Sequence, residues 1–328
     1  MALEVSENRC VASVVIPAFN ARKQIGSALV SLHRQTLDEP FEIIVVASGE
    51  DNCAEYIRQQ HPSVQVIESP RRLYPGQARN AGVRAACGEI VAFASADTQA
   101  PPSWLAQRLA AHRSGCELVG GSILNGTPGS WVGTAGYLLE YSALLPVEVL
   151  LRRQDVPHAL SFKRSVFELL GEYPEDVLTG EDTIFNTRCI DAGLSFGFAP
   201  PAGLMHENPR RLRDFLTHAA AHGRGLAQCI HLHGLPAAIE KSDASTAWRR
   251  TASTCRYTIA GLVAKYRRIV RFAPQWLPSL IISTPLILTA SVVTAHACLN
   301  QLRLLGADER RHLDRHGQIA TEEPPSSS

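Results

Sequence analysis

The chain has 328 residues, 45 % of them hydrophobic and 19 % charged, which suits one large domain or two small ones and excludes a disordered or low-complexity protein. Thirty-two basic residues against 31 acidic give a formal charge of +1, so no whole-molecule field draws in nucleic acid. A mean hydropathy of −0.03 excludes a polytopic membrane protein but not a single membrane segment.

Up to Leu118 the pattern alternates between strand and helix. Val11–Pro17 is a short β-branched run ending in proline and predicts a buried strand. Lys23–Arg34 follows, with Ile25, Leu29 and Leu32 at helical spacing. Phe41–Val46 predicts the second strand, Cys53–His61 a helix, Val64–Glu68 a third strand and Gln77–Ala86 an alanine-rich helix. Ile90–Ala94 is the fourth strand, and Pro102–His112 the next helix. Strands joined by helices of this length predict an α/β fold, a parallel sheet covered on both faces. Ligands of such sheets bind beyond the carboxyl ends of the strands.

After Leu118 the signals mix. Leu118–Ile123 predicts a strand, and Gly120–Gly136 is glycine-rich and reads as loop. Ser165–Leu170 and Glu181–Ala192 read as helices, Leu194–Ala199 as a strand and Arg213–Gln228 as an amphipathic helix. Thr246–Phe272 carries seven basic residues and no acid, and between Arg271 and Arg303 there is no charge of either sign. The apolar stretch, at about 273–302, exceeds the ~20 residues needed to span a bilayer, and its basic flank suits the cytoplasmic side. Pro278, Pro285 and His296 also allow a buried core helix, and Pro285 a re-entrant hairpin. The polar tail from Asp308 is expected to be disordered. Two parts follow: a catalytic domain over 1–240, and a membrane-associating region over 241–328. The eight cysteines contain no C-x-x-C pair, and the first ten residues lack the apolar core of a signal peptide, so free thiols are expected. The sequon Asn125-Gly126-Thr127 is then a chance match.

Four places could carry chemistry. In PGQARNAG (Pro75–Gly82) a glycine precedes a helix whose first turns hold Arg79 and Asn80, an arrangement able to clamp a diphosphate or merely to make a tight packing turn. Ser95-Ala96-Asp97 follows a strand, where Asp97 suits either a metal-diphosphate or a turn cap. Glu181 and Asp182 open a helix, either complementing its dipole or supplying a general base. His206 follows a predicted strand as a metal ligand or a structural histidine. Other matches read as background. Gly193–Gly197 fits G-x-S-x-G but leaves a helix to enter a strand, the reverse of a nucleophile elbow. His218 and His222 share a helix face without the glutamate of H-E-x-x-H, and His231 and His233 lack cysteine partners at zinc spacing. G-x-G-x-x-G and Walker A motifs are both absent.

The order of the pieces says more than any one of them. VVIPAFN (Val14–Asn20), EIIVVASG, ARNAG, EIVAFASAD, PPSWL, SFKRSVFELLGEYPED (Ser161–Asp176) and GEDTIFNTR (Gly180–Arg188) follow at the spacing of the family 2 glycosyltransferases, which the chain resembles from about Ala12 to about Arg224. The resemblance implies a GT-A fold and inverting transfer from a nucleoside-diphosphate sugar to a hydroxyl acceptor, helped by Mg²⁺ or Mn²⁺. It places Pro17, Phe19, Asn20 and Ser48 beside the nucleoside, and Arg79, Asn80 and Ser95 near the ribose and diphosphate. Asp97 and His206 would hold the metal, and Asp182, with Glu181, would form the catalytic pair. Two departures from the family pattern stand out: Ala47 and Ser48 replace the acids after the second strand, and Ser95 replaces the first acid of D-x-D. Arg71, Arg72 and Arg79 are candidates to neutralise the diphosphate directly. The membrane segment suits a lipid-linked or envelope-glycan acceptor at the cytoplasmic face of the membrane, with no nucleic-acid partner. Two other readings stay open: a non-catalytic nucleotide-sugar-binding or scaffold protein, and a nucleotidyltransferase.

Overall fold

The computed structural model describes residues 10–147, 160–234 and 247–319. Its first half follows the sequence signals closely: β1 (Ala12–Phe19), α1 (Ile25–His33), β2 (Phe41–Ser48), α2 (Cys53–Gln60), β3 (Gln65–Ser69), α3 (Pro75–Ala85) and β4 (Ile90–Phe93). A two-residue β5 (Thr98–Gln99), α4 (Trp104–Arg113) and β6 (Leu118–Asn125) come next. The second half comprises α5 (Trp131–Glu140), β7 (Ser161–Lys163), α6 (Ser165–Leu170), α7 (Glu181–Asp191), β8 (Phe196–His206) and α8 (Leu212–His233). It closes with α9 (Ala247–Phe272), a 3-10 turn and α10 (Leu277–Ile319).

The eight strands form one sheet in the order β3-β2-β1-β4-β7-β6-β8-β5. The first four are mutually parallel, as their helical crossovers require. Beyond β4 the sheet is mixed: β7 runs antiparallel to β4 and β6, β8 is parallel to β6, and β5 is antiparallel to β8. Val14, Val15 and Ile16 of β1 and Ile44–Val46 of β2 are fully buried, the pattern of strands covered on both faces. Truncating such a side chain, as in Ile16→Ala, costs about 2–5 kcal/mol. Gly82 lets α3 lie directly on β1, since a Cβ there would meet Val15 Cγ1 at 2.2 Å.

The loop expected over Gly120–Gly136 is instead the end of β6, a turn and α5. Its glycines serve close packing rather than flexibility: a Cβ on Gly133 would stand 2.4 Å from Thr127 Oγ1. Ser130 caps α5 by accepting from the Gly133 N–H at 3.0 Å. Strand β8 extends past the predicted Ala199 to His206, and β5 and β7 are too short to leave a periodic signal.

The C-terminal helices share the main core. Ile269, Ala273, Leu280, Leu286, Ile287 and Ala290 join it, so this region is not a detached appendage. Pro285 lies inside a continuous α10 and makes no hairpin, and the helix runs on to Ile319, into the stretch expected to be disordered. A Cβ on Gly223 of α8 would meet the Thr294 carbonyl of α10 at 2.2 Å, and Thr294 Oγ1 donates to the Ala219 carbonyl at 3.0 Å. Lys265 Nζ reaches the Leu139 carbonyl at the end of α5 at 2.7 Å, where the helix dipole favours a cation. The domain boundary expected at residue 240 lies outside the described residues. The described cysteines are all free thiols, with Cys10 and Cys87 Sγ atoms 2.7 Å apart.

Candidate active site

Beyond the carboxyl ends of β1, β2 and β3, Phe19, Ser48 and Ser69 stand side by side in the sheet register. Asn20 turns the chain at φ +47°, a conformation asparagine tolerates better than most residues. Its N–H donates to the Ser48 carbonyl and its Oδ1 accepts from the Glu50 N–H, which ties the turn after β1 to the turn after β2. Gly49 answers with φ +101°; a Cβ there would lie 2.2 Å from Asn20 Oδ1. Phe19 is exposed, and the Arg72 guanidinium lies 4.5 Å from its ring centroid. Pro17 is half-buried within β1, and Ser48 is buried.

After β4 the chain makes a turn from Ser95 to Thr98. Thr98 Oγ1 donates to the Ser95 carbonyl and accepts from the Ser95 N–H. Thr98 then pairs with His206 across β5 and β8, and Glu207 N–H donates to the Asp97 carbonyl. This brings Asp97 Oδ2 to 3.5 Å from His206 Nε2.

The tautomer of His206 follows from its neighbours. The Asn208 amide nitrogen donates to Asn125 Oδ1, Thr127 Oγ1 and the His206 carbonyl, so its Oδ1 faces His206 Nδ1 at 3.1 Å. Nδ1 therefore carries the proton and Nε2 presents a lone pair. The Tyr141 hydroxyl donates to that nitrogen at 3.0 Å, its ring packed 4.9 Å from the imidazole. An imidazole lone pair and a carboxylate oxygen side by side form a donor set that a divalent cation satisfies. The sequon asparagine, Asn125, is absorbed here as an acceptor for Thr127 and Asn208.

Gly180, at φ +95°, opens α7 and delivers Glu181 and Asp182, both buried. Arg79 reaches across from α3, its Nη1 2.6 Å from Glu181 Oε1 and 3.9 Å from Asp182 Oδ2. The guanidinium lies near the rings of Phe93 and Tyr173, which shield the pair from water. Burial pushes the Asp182 carboxyl above its ordinary range, and Arg79 and the Thr183 N–H offset only part of that. Burial, then the charges of Glu140, Asp97 and Asp182, push the Tyr141 phenol up.

Two residues expected at the donor carry contacts within the protein. Asn80 is buried, and its side chain is occupied by the Tyr173 backbone and Glu175 Oε1, so it props the segment before α7. Arg79 is committed to Glu181, which leaves Arg72 as the basic residue beside Phe19. Tyr141 and Asn208 went unnoticed in sequence; Tyr141 follows a stretch read as loop, and nothing local distinguishes it. The G-x-S-x-G match is a surface turn with Gly193 at φ +71° and Ser195 bonded to Gly115 and Glu117. A cleft of about 590 Å³ lined by Arg22, Arg34, Tyr56, Gln99 and Met205 lies elsewhere. Gln99 and Met205 alternate with Thr98 and His206 and so project from the opposite face of the β5–β8 pair.

Residues 13–170 match the profile described as "Glycosyl transferase family 2". Glycosyltransferase AglE of Haloferax volcanii is 26 % identical over 195 residues, 57 % of this chain and 64 % of that protein. A pre-mycofactocin glycosyltransferase of Mycobacterium tuberculosis is 26 % identical over 238 residues, 67 % of this chain and 48 % of its own length. The match thus spans less than two-thirds of either relative. Among solved structures, the mannosyltransferase PcManGT of Pyrobaculum calidifontis, in complex with GDP-Man and Mn²⁺, superposes with a TM-score of 0.56 at 18 % identity, over 89 % of this chain and 87 % of that one. That likeness establishes the GT-A fold.

Proposed function

From the match of residues 13–170 to glycosyl transferase family 2 we propose that the chain is a member of that family and transfers a sugar, with inversion, from a nucleoside-diphosphate sugar to a hydroxyl acceptor. The observation that carries this reading is Asp182: a buried carboxylate with a raised pKa at a helix start, beside an arginine that keeps part of its charge compensated. A base with a pKa moved toward the working pH is efficient at taking a proton from a hydroxyl. The acceptor oxygen, losing its proton to Asp182, attacks the anomeric carbon from the face opposite the diphosphate. The new C–O bond forms as the bond to the diphosphate oxygen breaks, and a single displacement inverts the centre. Glu181 holds Arg79 in place, and Arg79 positions Asp182. Phe19, Asn20, Ser48 and Arg72 form the surface on which the nucleoside is placed, with Pro17 beneath and Ser95 at its diphosphate end.

Asp97 and His206 fit a divalent cation, because a carboxylate oxygen and an imidazole nitrogen stand side by side, Asn208 orients the ring through Nδ1, and a cation would take the Nε2 lone pair over from the Tyr141 hydroxyl. Mg²⁺ or Mn²⁺ bound by them would supply charge neutralisation for the departing diphosphate. Ser95, in place of an acid, leaves this a one-carboxylate site and a weak one. PcManGT holds GDP-Man and Mn²⁺ on the same fold, which supports this donor class and cofactor.

The described residues include one helix, within Pro274–Ala307, long and apolar enough to cross a membrane. Its inner stripe is packed on α8, so we place the helix on the membrane surface rather than through it. Ile281, Ile282, Leu288 and Val292 of α10 and Ile259, Val263 and Val270 of α9 form exposed apolar rows, with Arg256, Arg267 and Arg271 among the exposed residues of α9. Apolar rows bordered by arginine suit the interface of an anionic leaflet. Our reading is therefore of an enzyme working at the cytoplasmic face on a lipid-linked or envelope-glycan acceptor. Ile281→Asp with Val292→Asp should shift the protein from sedimenting liposomes to the supernatant; unchanged co-sedimentation would remove the membrane assignment.

A mass-spectrometric screen of nucleotide sugars, with and without Mn²⁺, tests the activity. One donor should be consumed, yielding nucleoside diphosphate and a sugar of inverted anomeric configuration. Donor binding without turnover would point instead to a nucleotide-sugar-binding protein, and pyrophosphate release from a nucleoside triphosphate to a nucleotidyltransferase.

A further inference from the structure

His218 and His222, one turn apart on α8, were unremarkable in sequence because no third ligand accompanied them. The fold supplies one. Glu140, the last residue of α5, places Oε1 3.0 Å from His218 Nε2, and His222 Nε2 lies 3.0 Å from the same nitrogen. One ligand atom from each of the three side chains falls within 4.8 Å of the others. The two imidazole rings meet edge to face with centroids 4.5 Å apart.

A proton satisfies this convergence poorly. If His218 Nε2 carries hydrogen and donates to Glu140, it has no lone pair left for His222. If it carries none and accepts from His222, its lone pair faces the carboxylate oxygen at hydrogen-bond distance. A divalent cation satisfies all three atoms together. The donor chemistry narrows the choice: two imidazole nitrogens and one carboxylate suit zinc and neighbouring first-row ions, whereas magnesium and calcium take oxygen ligands.

We propose that Glu140, His218 and His222 form a transition-metal site of the zinc class, neighbouring the Asp97–His206 pair but built from different ligand atoms. A cation there clamps the carboxyl end of α5 to α8. Tyr141 follows Glu140 directly, so the same clamp fixes the ring that packs on His206. The site is built by the polypeptide alone, and its existence does not depend on the transfer reaction.

Cobalt(II) titration of the full chain, without nucleotide, tests it. We expect one equivalent with the intense visible absorption of a low-coordinate cobalt centre, displaced by zinc. His222→Ala and the near-isosteric Glu140→Gln should each weaken that binding by at least the ~10–100-fold that loss of an outer partner alone brings, with far-UV circular dichroism unchanged. Asp97→Asn should retain the absorption. The proposal is overturned if the wild type shows no such bands, or if they survive both substitutions in the triad. It is equally overturned if they vanish with Asp97→Asn, which would assign them to the other pair.

Discussion

Asp97 and Asp182 are both carboxylates of the proposed site, yet their surroundings differ sharply. Asp97 stands on a short turn, its side chain 34 % exposed, beside an imidazole fixed in the tautomer that offers a lone pair. Asp182 stands at a helix start, its side chain 8 % exposed, next to a guanidinium already engaged by Glu181. One carboxylate stands partly exposed beside an imidazole and can hold a cation. The other has part of a counter-charge and is pushed by burial toward taking up a proton. Residue type alone assigns neither role; the neighbours do.

The contrast can be broken at its strongest point first. Asp182→Asn should lower turnover by about 10²–10⁴-fold while donor affinity, read by thermal shift, stays close to wild type. Chelating divalent metal should cost about 10²–10³-fold by removing charge stabilisation at the leaving group, and should also weaken donor binding, which the first substitution does not. Undiminished transfer in EDTA at saturating donor would mean that arginine, with no metal, neutralises the diphosphate.

Arg79→Gln separates stability from chemistry. It strands the Glu181 carboxylate, so we expect a loss of about 3–5 kcal/mol in urea unfolding. It should also move the acid limb of kcat/KM to higher pH, since Arg79 is what restrains the Asp182 pKa. In the wild type that limb should already lie above the ordinary aspartate range, with activity falling as pH drops and the base protonates. The sign for stability is the reverse. A carboxyl whose pKa is higher folded than unfolded favours folding at acid pH and loses that contribution as pH rises through its folded value. Asp182→Asn should therefore raise Tm at pH 7.5, with the gain fading toward pH 3. The smallest effect belongs to Tyr141→Phe, which removes the hydrogen bond that competes for the His206 Nε2 lone pair, about 0.5–1.5 kcal/mol, and should show mainly as a slightly tighter apparent affinity for metal.

How legible the site was in the chain follows the same division. Strands β1 to β4 are continuous apolar runs separated by helices of ordinary length, so the parallel half of the sheet and the loops at its carboxyl ends could be read directly. Asp97, Asp182 and His206 could be named because they end or begin such elements. Arg79 could be named too, but not its partner, since Glu181 lies 102 residues away and no local pattern encodes that distance. Helix α5 was hidden because glycine reads as loop, whereas Gly133 is there for a close approach to Thr127. With α5 went Glu140 and Tyr141, and with them both the support of His206 and the third ligand of the histidine pair. The uncharged C-terminal stretch was visible as apolar; its division into a face packed on α8 and a face left outward was not, because both faces use the same residue types.

The account rests on Asp182 as the base. Its most direct test is single-turnover transfer by wild type and Asp182→Asn on whichever donor the nucleotide-sugar screen identifies, followed across pH 4–9. We expect a wild-type rate that rises through one ionisation above the ordinary aspartate range, and a variant that binds the donor but transfers slowly with no such ionisation. A variant with near-normal turnover, or one retaining the wild-type pH profile, would contradict the assignment.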